Sequence, residues 1–359
     1  MSKNLIGERA LASMLFSLAT VVAFAAEPLK VGFVYVSPVG QAGWTFQHEQ
    51  GRLAMQRALG NQVESRFVEA VPEGADAERV MRDLASQGHT LIFATSFGYL
   101  EPALRVAADY AAVKFEHAGG YKTAPNLNTY NARFYEGRWL AGWLAGKTSN
   151  TGVAGYVAGF PVPEVVQGIN AFALGMREAN PNATVRVLWL NTWFDPPKER
   201  EAALALIGAG ADVLTHHSGS PAVPQAAEEK GVRLVAYQSD MRAHAPTAQL
   251  AAVSADWGAH YTRVVQSVLA GTWRTRPVWG GMKDGLVKLS AVSPTISPML
   301  RKELAAREQA LVAGKAGPFV GRLVDQAGAV RQERGTLPDE AIARMDWFVY
   351  GVSGTLPKP

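Results

Sequence analysis

The chain predicts an α/β protein of two similar doubly wound lobes, each a parallel sheet covered by helices on both faces, with a cleft between them. Three observations predict it. Short apolar strand-like runs alternate with helix-periodic segments, the pattern of a parallel sheet with crossover helices. After residue 150 that alternation restarts in the same order. The 359 residues are enough for two cores of ordinary size.

The first segment is expected to be a leader. Lys3 and Arg9 make a basic start, residues 10–25 form an apolar run, and Ala23 and Ala25 fit a small-residue cleavage site. A signal peptide over 1–25 follows, with the mature chain beginning near Ala26. The run is short for a span, which needs about 20 apolar residues. No later stretch is long and apolar enough to cross a bilayer. The chain has no cysteine. Disulfides, thiolate metal sites, a cysteine nucleophile and a lipid-modified cysteine are therefore excluded. An exported, soluble periplasmic protein is the expectation.

Strand-like "KVGFVYV" (30–36) leads into the helical pattern "TFQHEQGRLAMQRALG" (45–60). "VESRFVEAV" is a second strand, and "GADAERVMRDLASQG" is a helix opening near Asp76 and closing on Gly88. "HTLIFATS", "YLEPALRVAADYA" and "VKFEHAGG" continue as strand, helix and strand. After the stretch 127–150 the unit repeats. "TGVAGYVAG" and "VVQGINAFALGMREANP" match the first strand and helix. "ATVRVLWLNTW" and "DPPKEREAALALIGAG" match the second pair, and "ADVLTHHSG" and "VRLVAYQSD" match the later strands. The period is too long for a solenoid. The expected division is 26–149 plus 250–276 in the first lobe and 150–249 plus 277–359 in the second. Crossings are expected near 148–152, 243–252 and 276–284, where Gly, Pro or polar residues cluster. The tail after Pro294, with the helical "PMLRKELAAREQALVAGK" and the strand-like "PFVGRLVD", is placed in the second lobe.

Ligands of such sheets sit at the carboxyl ends of the strands. Those ends present Trp44 and Thr45, Ser96 and Phe97, His117, Trp193 with Phe194 and Asp195, Ser218 and Gly219, and Gln238 and Asp240. Aromatic residues stand at three of the six ends. A Gly-rich turn does not need an indole, so Trp44 is expected to face a ligand.

Other chemistries lack their residues. There is no phosphate loop and no G-x-S-x-G elbow. "GAGADV" lacks a third glycine and precedes a strand instead of following one. His216 and His217 are adjacent and point to opposite faces of a strand, so they do not share a metal. Trp139 and Trp143, four apart, read as the core of a helix packed on a sheet. The net charge of +4 is spread along the chain without a basic block, a poor case for nucleic acid.

"GWTFQHEQG", "FYEGRWLAGWLAG", "NTWFDPPKEREAALALIGAGADVLTHHSG" and "AYQSD" give the chain its resemblance to a known family. It resembles the basic membrane protein family of ABC-transporter substrate-binding proteins over essentially all of the mature chain. These are type I periplasmic-binding-protein folds, and several bind purine nucleosides. The resemblance implies that Trp44 and Trp193 hold the two base-stacking positions and that Ser218-Gly219 fills a small loop position. It also locates departures. Gln238 stands where nucleoside-binding members carry a ribose-gripping aspartate, and Asp240 keeps the second aspartate of that motif. Trp257 stands where they carry a lysine near the sugar, and His117 replaces an aspartate common at the fourth strand end.

The implied function is the binding component of an ABC importer, closing on a purine and delivering it to a permease in the inner membrane. A glutamine amide matches a vicinal diol less well than a carboxylate does. An indole at position 257 would fill the sugar space. A free nucleobase such as adenine is therefore favoured. A purine nucleoside, or a sugar or other small polar ligand, is the alternative, since sugars also stack on tryptophan. An enzyme, a cofactor, a metal and a nucleic-acid partner are not expected, and the protein is expected to act as a monomer.

Overall fold

The computed structural model describes residues 27–357. The expected leader lies outside these residues. Strand β1 (Leu29–Val34) runs into helix α1 (Trp44–Leu59), followed by β2 (Val63–Val68), α2 (Ala75–Ser86), β3 (Leu91–Ala94), α3 (Leu100–Asp109), β4 (Lys114–Ala118) and β5 (Leu127–Ala132). After α4 (Phe134–Thr148) come β6 (Val153–Ala158), α5 (Pro163–Ala179), β7 (Thr184–Trp189), α6 (Pro196–Gly208), β8 (Val213–His217), α7 (Ala222–Lys230), β9 (Arg233–Gln238) and β10 (Gln249–Ala255). Then follow α8 (Trp257–Leu269), β11 (Val278–Gly280), β12 (Val287–Ser290) and α9 (Pro298–Val312). The tail carries β13 (Leu323–Val324), β14 (Val330–Gln332), α10 (Asp339–Ala343) and β15 (Val352–Ser353).

The first sheet has the order β11-β5-β4-β3-β1-β2, all parallel. The second has the order β12-β10-β9-β8-β6-β7-β15, in which only β12 is antiparallel. The middle of each sheet therefore repeats one arrangement, with the first strand of the unit beside its second and third. Both sheets bury apolar runs. Phe33, Phe93, Ile92 and Leu91 of the first, and Val157, Leu214, Val235 and Ala236 of the second, are fully buried. Burial on both faces is what near-continuous apolar strands require.

The division between lobes differs from the expected one in three places. The run 250–255, expected in the first lobe, is β10 and pairs with β9 as the fifth strand of the second sheet. Residues 278–280, expected in the second lobe, form β11 and extend the first sheet beside β5. Helix α4, also expected with the first lobe, packs on α5, β10 and β12. The reason is physical. All but three of the fifteen residues of α4 are buried, so the helix must be covered on every side. Only the position between the second sheet and α5 covers it. Alpha carbons approach closely there: a Cβ on Gly142 would lie 2.1 Å from the Phe172 carbonyl oxygen, and one on Gly175 would lie 2.0 Å from that of Trp139. Trp139 and Trp143 are buried, as the i, i+4 spacing predicts.

The chain thus passes between lobes at Ala132–Phe134, Ala255–Trp257 and Gly280–Val287. These crossings are bonded side by side. The Arg133 amide donates to the Gly280 carbonyl at 2.8 Å, and the Asp256 amide to that of Leu286 at 2.9 Å. The Met282 amide donates to Glu136 Oε2 at 2.6 Å. On its outer face each lobe has its own core, centred on Ile92, Leu84 and Ala103 in one and on Leu214, Leu206 and Val223 in the other. A third core, with Trp257, Phe134 and Tyr237, runs continuously beneath the crossings.

Candidate functional site

Seven loops at the carboxyl ends of the strands enclose one cavity between the lobes. The first lobe contributes Val36 and Ser37 after β1, Trp44 at the start of α1, Ser96 and Phe97 after β3, and Ala118 and Gly119 at the end of β4. The second contributes Val162 and Glu164 at the start of α5, Trp193 after β7, His217, Ser218 and Gly219 after β8, and Gln238 at the end of β9. The lobes are in contact across it. Gly43, at φ 95°, approaches the second lobe so closely that a Cβ would lie 2.3 Å from the Gly219 carbonyl oxygen. Its amide donates to Ser239 Oγ at 2.8 Å. The glycine before Trp44 is needed for that backbone angle and for this contact.

Each tryptophan is fixed by its indole N–H. Trp44 Nε1 donates to the Thr95 carbonyl at 2.6 Å, and its ring meets His48 edge-on at 4.3 Å. Trp193 lies on the Gly159 backbone, where a Cβ would fall 2.7 Å from the ring, and packs edge-on against Phe160 at 4.9 Å. Its Nε1 donates across the cleft to Glu73 Oε1 at 3.1 Å. That carboxylate also accepts from Ser96 Oγ at 2.6 Å and the Gly98 amide at 2.8 Å. Tryptophans held at the nitrogen leave apolar ring surface for the cavity.

The polar lining is sparse. Gln238 is buried at a left-handed φ of 69°, and its side-chain oxygen has no partner. His217 is held neutral, its pKa lowered well below the usual value by burial and by the nearby Arg138 charge. Its Nε2 lies 3.6 Å from Glu164 Oε1. Burial raises the Glu164 carboxyl to about 7, opposed by the Asn131 amide and the Arg138 charge. Arg138 itself is fully buried, donating to Thr215 Oγ1 and the His216 carbonyl beneath Tyr237. Ser218 Oγ is committed to Glu199 at 2.8 Å, a carboxylate that also accepts from Ser220 Oγ at 2.7 Å and so ties the β8–α7 loop to α6.

Of the expected site residues, Trp44, Ser96, Phe97, Trp193, Ser218, Gly219 and Gln238 line the cavity. The others do other work. Thr45 is buried and shares a hydrogen bond of 2.7 Å with Ser37. Phe194 packs behind Gly219. Asp195 caps α6, accepting from the Lys198 amide at 3.1 Å. Asp240 is bound by Arg242 and by Gln249 on the outer surface. Trp257, expected in the sugar space, is 1% exposed and stacks on His48 at 4.9 Å in the core below Trp44. It begins a helix at a crossing, where a large ring must be covered from both sides. His117 is fully buried, and its neighbours Ala118 and Gly119 reach the cavity instead. Glu164, His217 and Ser37 were not expected there. A signal for Glu164 existed: it stands at the start of the fifth helix as Trp44 stands at the start of the first.

Among the described residues no cluster of side chains suits a metal ion. No helix among them is long and apolar enough to cross a membrane. A family model described as ABC transporter substrate-binding protein, PnrA-like, matches residues 29–315. The chain is 46% identical over 350 residues to a purine-binding protein of Brucella abortus, covering 95% of this chain and 99% of the relative. It is 37% identical over 331 residues to a Haloferax volcanii protein provisionally named an ABC transporter glucose-binding protein, covering 92% of this chain and 82% of the relative. In structure it resembles an ABC transporter solute-binding protein from Aeropyrum pernix, with a TM-score of 0.69, 18% identity, and coverage of 80% and 92% of the two chains.

Proposed function

This chain belongs to the PnrA-like family of ABC transporter substrate-binding proteins, and from that premise we propose that its ligand is a free purine base, adenine foremost, taken up between Trp44 and Trp193. A substrate-binding protein is not an enzyme; it holds a small molecule and presents it to a permease. The observation that carries the proposal is the make-up of the cavity: indoles from both lobes, one unpartnered amide oxygen on Gln238, one carboxyl on Glu164, and no lysine, arginine or aspartate in the lining. A flat heteroaromatic ring matches such walls. Stacking contributes on the order of 1–3 kcal/mol per base, and a micromolar site needs about 8 kcal/mol, so Gln238 and Glu164 must add hydrogen bonds in a dry cleft. The purine-binding Brucella relative supports the ligand class.

Base over nucleoside rests on Gln238, a poorer partner for a ribose diol than a carboxylate. Trp257 adds nothing to it, being core. The provisional glucose-binding name of the Haloferax relative favours a sugar as the second reading. We place the protein in the periplasm, acting as a monomer with an inner-membrane permease. Calorimetric titration with adenine, guanine, hypoxanthine, their nucleosides and glucose decides among these. Adenine is expected to bind at least about tenfold tighter than adenosine, a difference of about 1.4 kcal/mol. A nucleoside binding tighter than every base, or tight binding of glucose alone, overturns it.

A further inference from the structure

Within the purine reading, one residue of the cavity has chemistry that separates a base from its nucleoside. A free purine keeps an N–H on its imidazole ring. In the nucleoside that nitrogen carries the sugar and donates nothing. We propose that the Glu164 carboxyl accepts this ring N–H and so makes the site select bases over nucleosides.

The geometry supports it. Glu164 reaches the cavity from the first turn of α5, with its side chain 16% exposed. It stands opposite Gly119, where a Cβ would lie 3.8 Å from its Oε2, so small backbone faces it from the first lobe. None of its charged neighbours forms an ion pair with it. His217, at 3.6 Å, is kept uncharged by burial and by Arg138. The Arg138 guanidinium directs its two terminal nitrogens to Thr215 and the His216 carbonyl, and its charge only partly offsets the burial of Glu164. A buried carboxylate with no ion pair of its own and only the Asn131 amide donating to it gains from a further donor that arrives with the ligand. The Gln238 oxygen is a buried acceptor without a partner, so a ligand with two N–H donors can meet it and the Glu164 carboxyl together. Adenine has an exocyclic amine and the ring N–H. Adenosine retains only the first.

The test titrates adenine and 9-methyladenine, which differ only at that nitrogen, into the wild-type protein and into Glu164→Gln and Glu164→Leu. Wild-type protein is expected to bind adenine at least about tenfold tighter than 9-methyladenine, the worth of a hydrogen bond to a charged group. Adenine affinity should fall from Glu to Gln to Leu by at least about tenfold more than 9-methyladenine affinity does, collapsing the preference. Retention of the preference in Glu164→Leu overturns the assignment while leaving purine binding intact. Equal wild-type affinity for the two ligands overturns it without any variant. If wild-type protein binds no purine at all, the functional proposal falls first and this one with it.

Discussion

At the scale of single residues, what a side chain does in the cleft depends on what its polar atoms are already doing. Trp44 and Trp193 have their indole N–H groups satisfied by Thr95 and Glu73, so only apolar face remains for a ligand. Asp195 and Asp240 have theirs filled by a helix terminus and an arginine, which removes them from recognition. Sequence position alone placed all four at strand ends. Partnering sorted them, and partnering depends on side-chain geometry that one sequence does not display. Trp257 illustrates the limit from the other side: the residue type suggested a filled sugar space, yet the start of α8 points inward at a crossing. Trp44→Ala should weaken adenine binding by about 1–3 kcal/mol, the stacking contribution of one base. The variant should still fold, with a lowered ligand-free melting temperature, because Trp44 also packs on His48 and Trp257 and donates to Thr95. Calorimetry and thermal melts of the variant check both; unchanged affinity would make Trp44 part of the lobe core only.

At the scale of elements, the alternation of apolar runs and helical periods made most of both sheets readable, because each strand is buried on two faces. The fifth strands were less readable. β5 carries Asn128, Thr129 and Asn131 among its apolar residues, and β10 is a short alanine-rich run whose preceding turn signal, at Pro246 and Thr247, reads equally as a crossing between lobes. Helix α4 was recognisable as buried but not as belonging to the second lobe, since its partner α5 is recognised only through backbone contact at glycines. That contact is testable. Gly142→Ala puts a methyl group where the Phe172 carbonyl stands 2.1 Å away, and backbone cannot yield as a flexible side chain can. A loss of about 1–3 kcal/mol in denaturant unfolding is expected, the usual cost of overpacking. Gly208→Ala, in α6 with open space around its Cβ, is the control and should not destabilise.

At the scale of the whole molecule, buried ionisable groups set the response to pH. His117, His216 and His260 are depressed to about 3, and His48 and His217 lie well below the usual value, burial being the first cause in each. Each folds neutral. Its contribution is present above the unfolded value of about 6.5 and is lost as pH falls below it. Glu116 and Glu164 act oppositely: raised to about 7 by burial, they favour the fold below the ordinary glutamate range and lose that contribution as pH rises through 7. With His89 also lowered and Glu136 and Glu308 also raised by burial, six depressed histidines face four raised glutamates, and carboxylates held down by their partners, such as Asp212 and Asp240, add to the histidines' side. The melting temperature should therefore fall between pH 6.5 and 4.5, and thermal melts across that range check it. A protein equally stable or more stable at pH 5 than at pH 7 would contradict this balance.

The threefold passage of the chain between lobes also has a consequence for the order in which the molecule can be assembled. The first sheet waits for Val278–Gly280 to extend it beyond β5, and helix α1 waits for α8 to cover it. The second sheet waits for Val352–Ser353 at the very end of the described chain. A ribosome making this protein from its amino end therefore releases some 280 residues before either lobe has all its parts. An incomplete chain lacks the covering of its own cores and stays loose, and a loose chain is the form that can be threaded through a narrow channel.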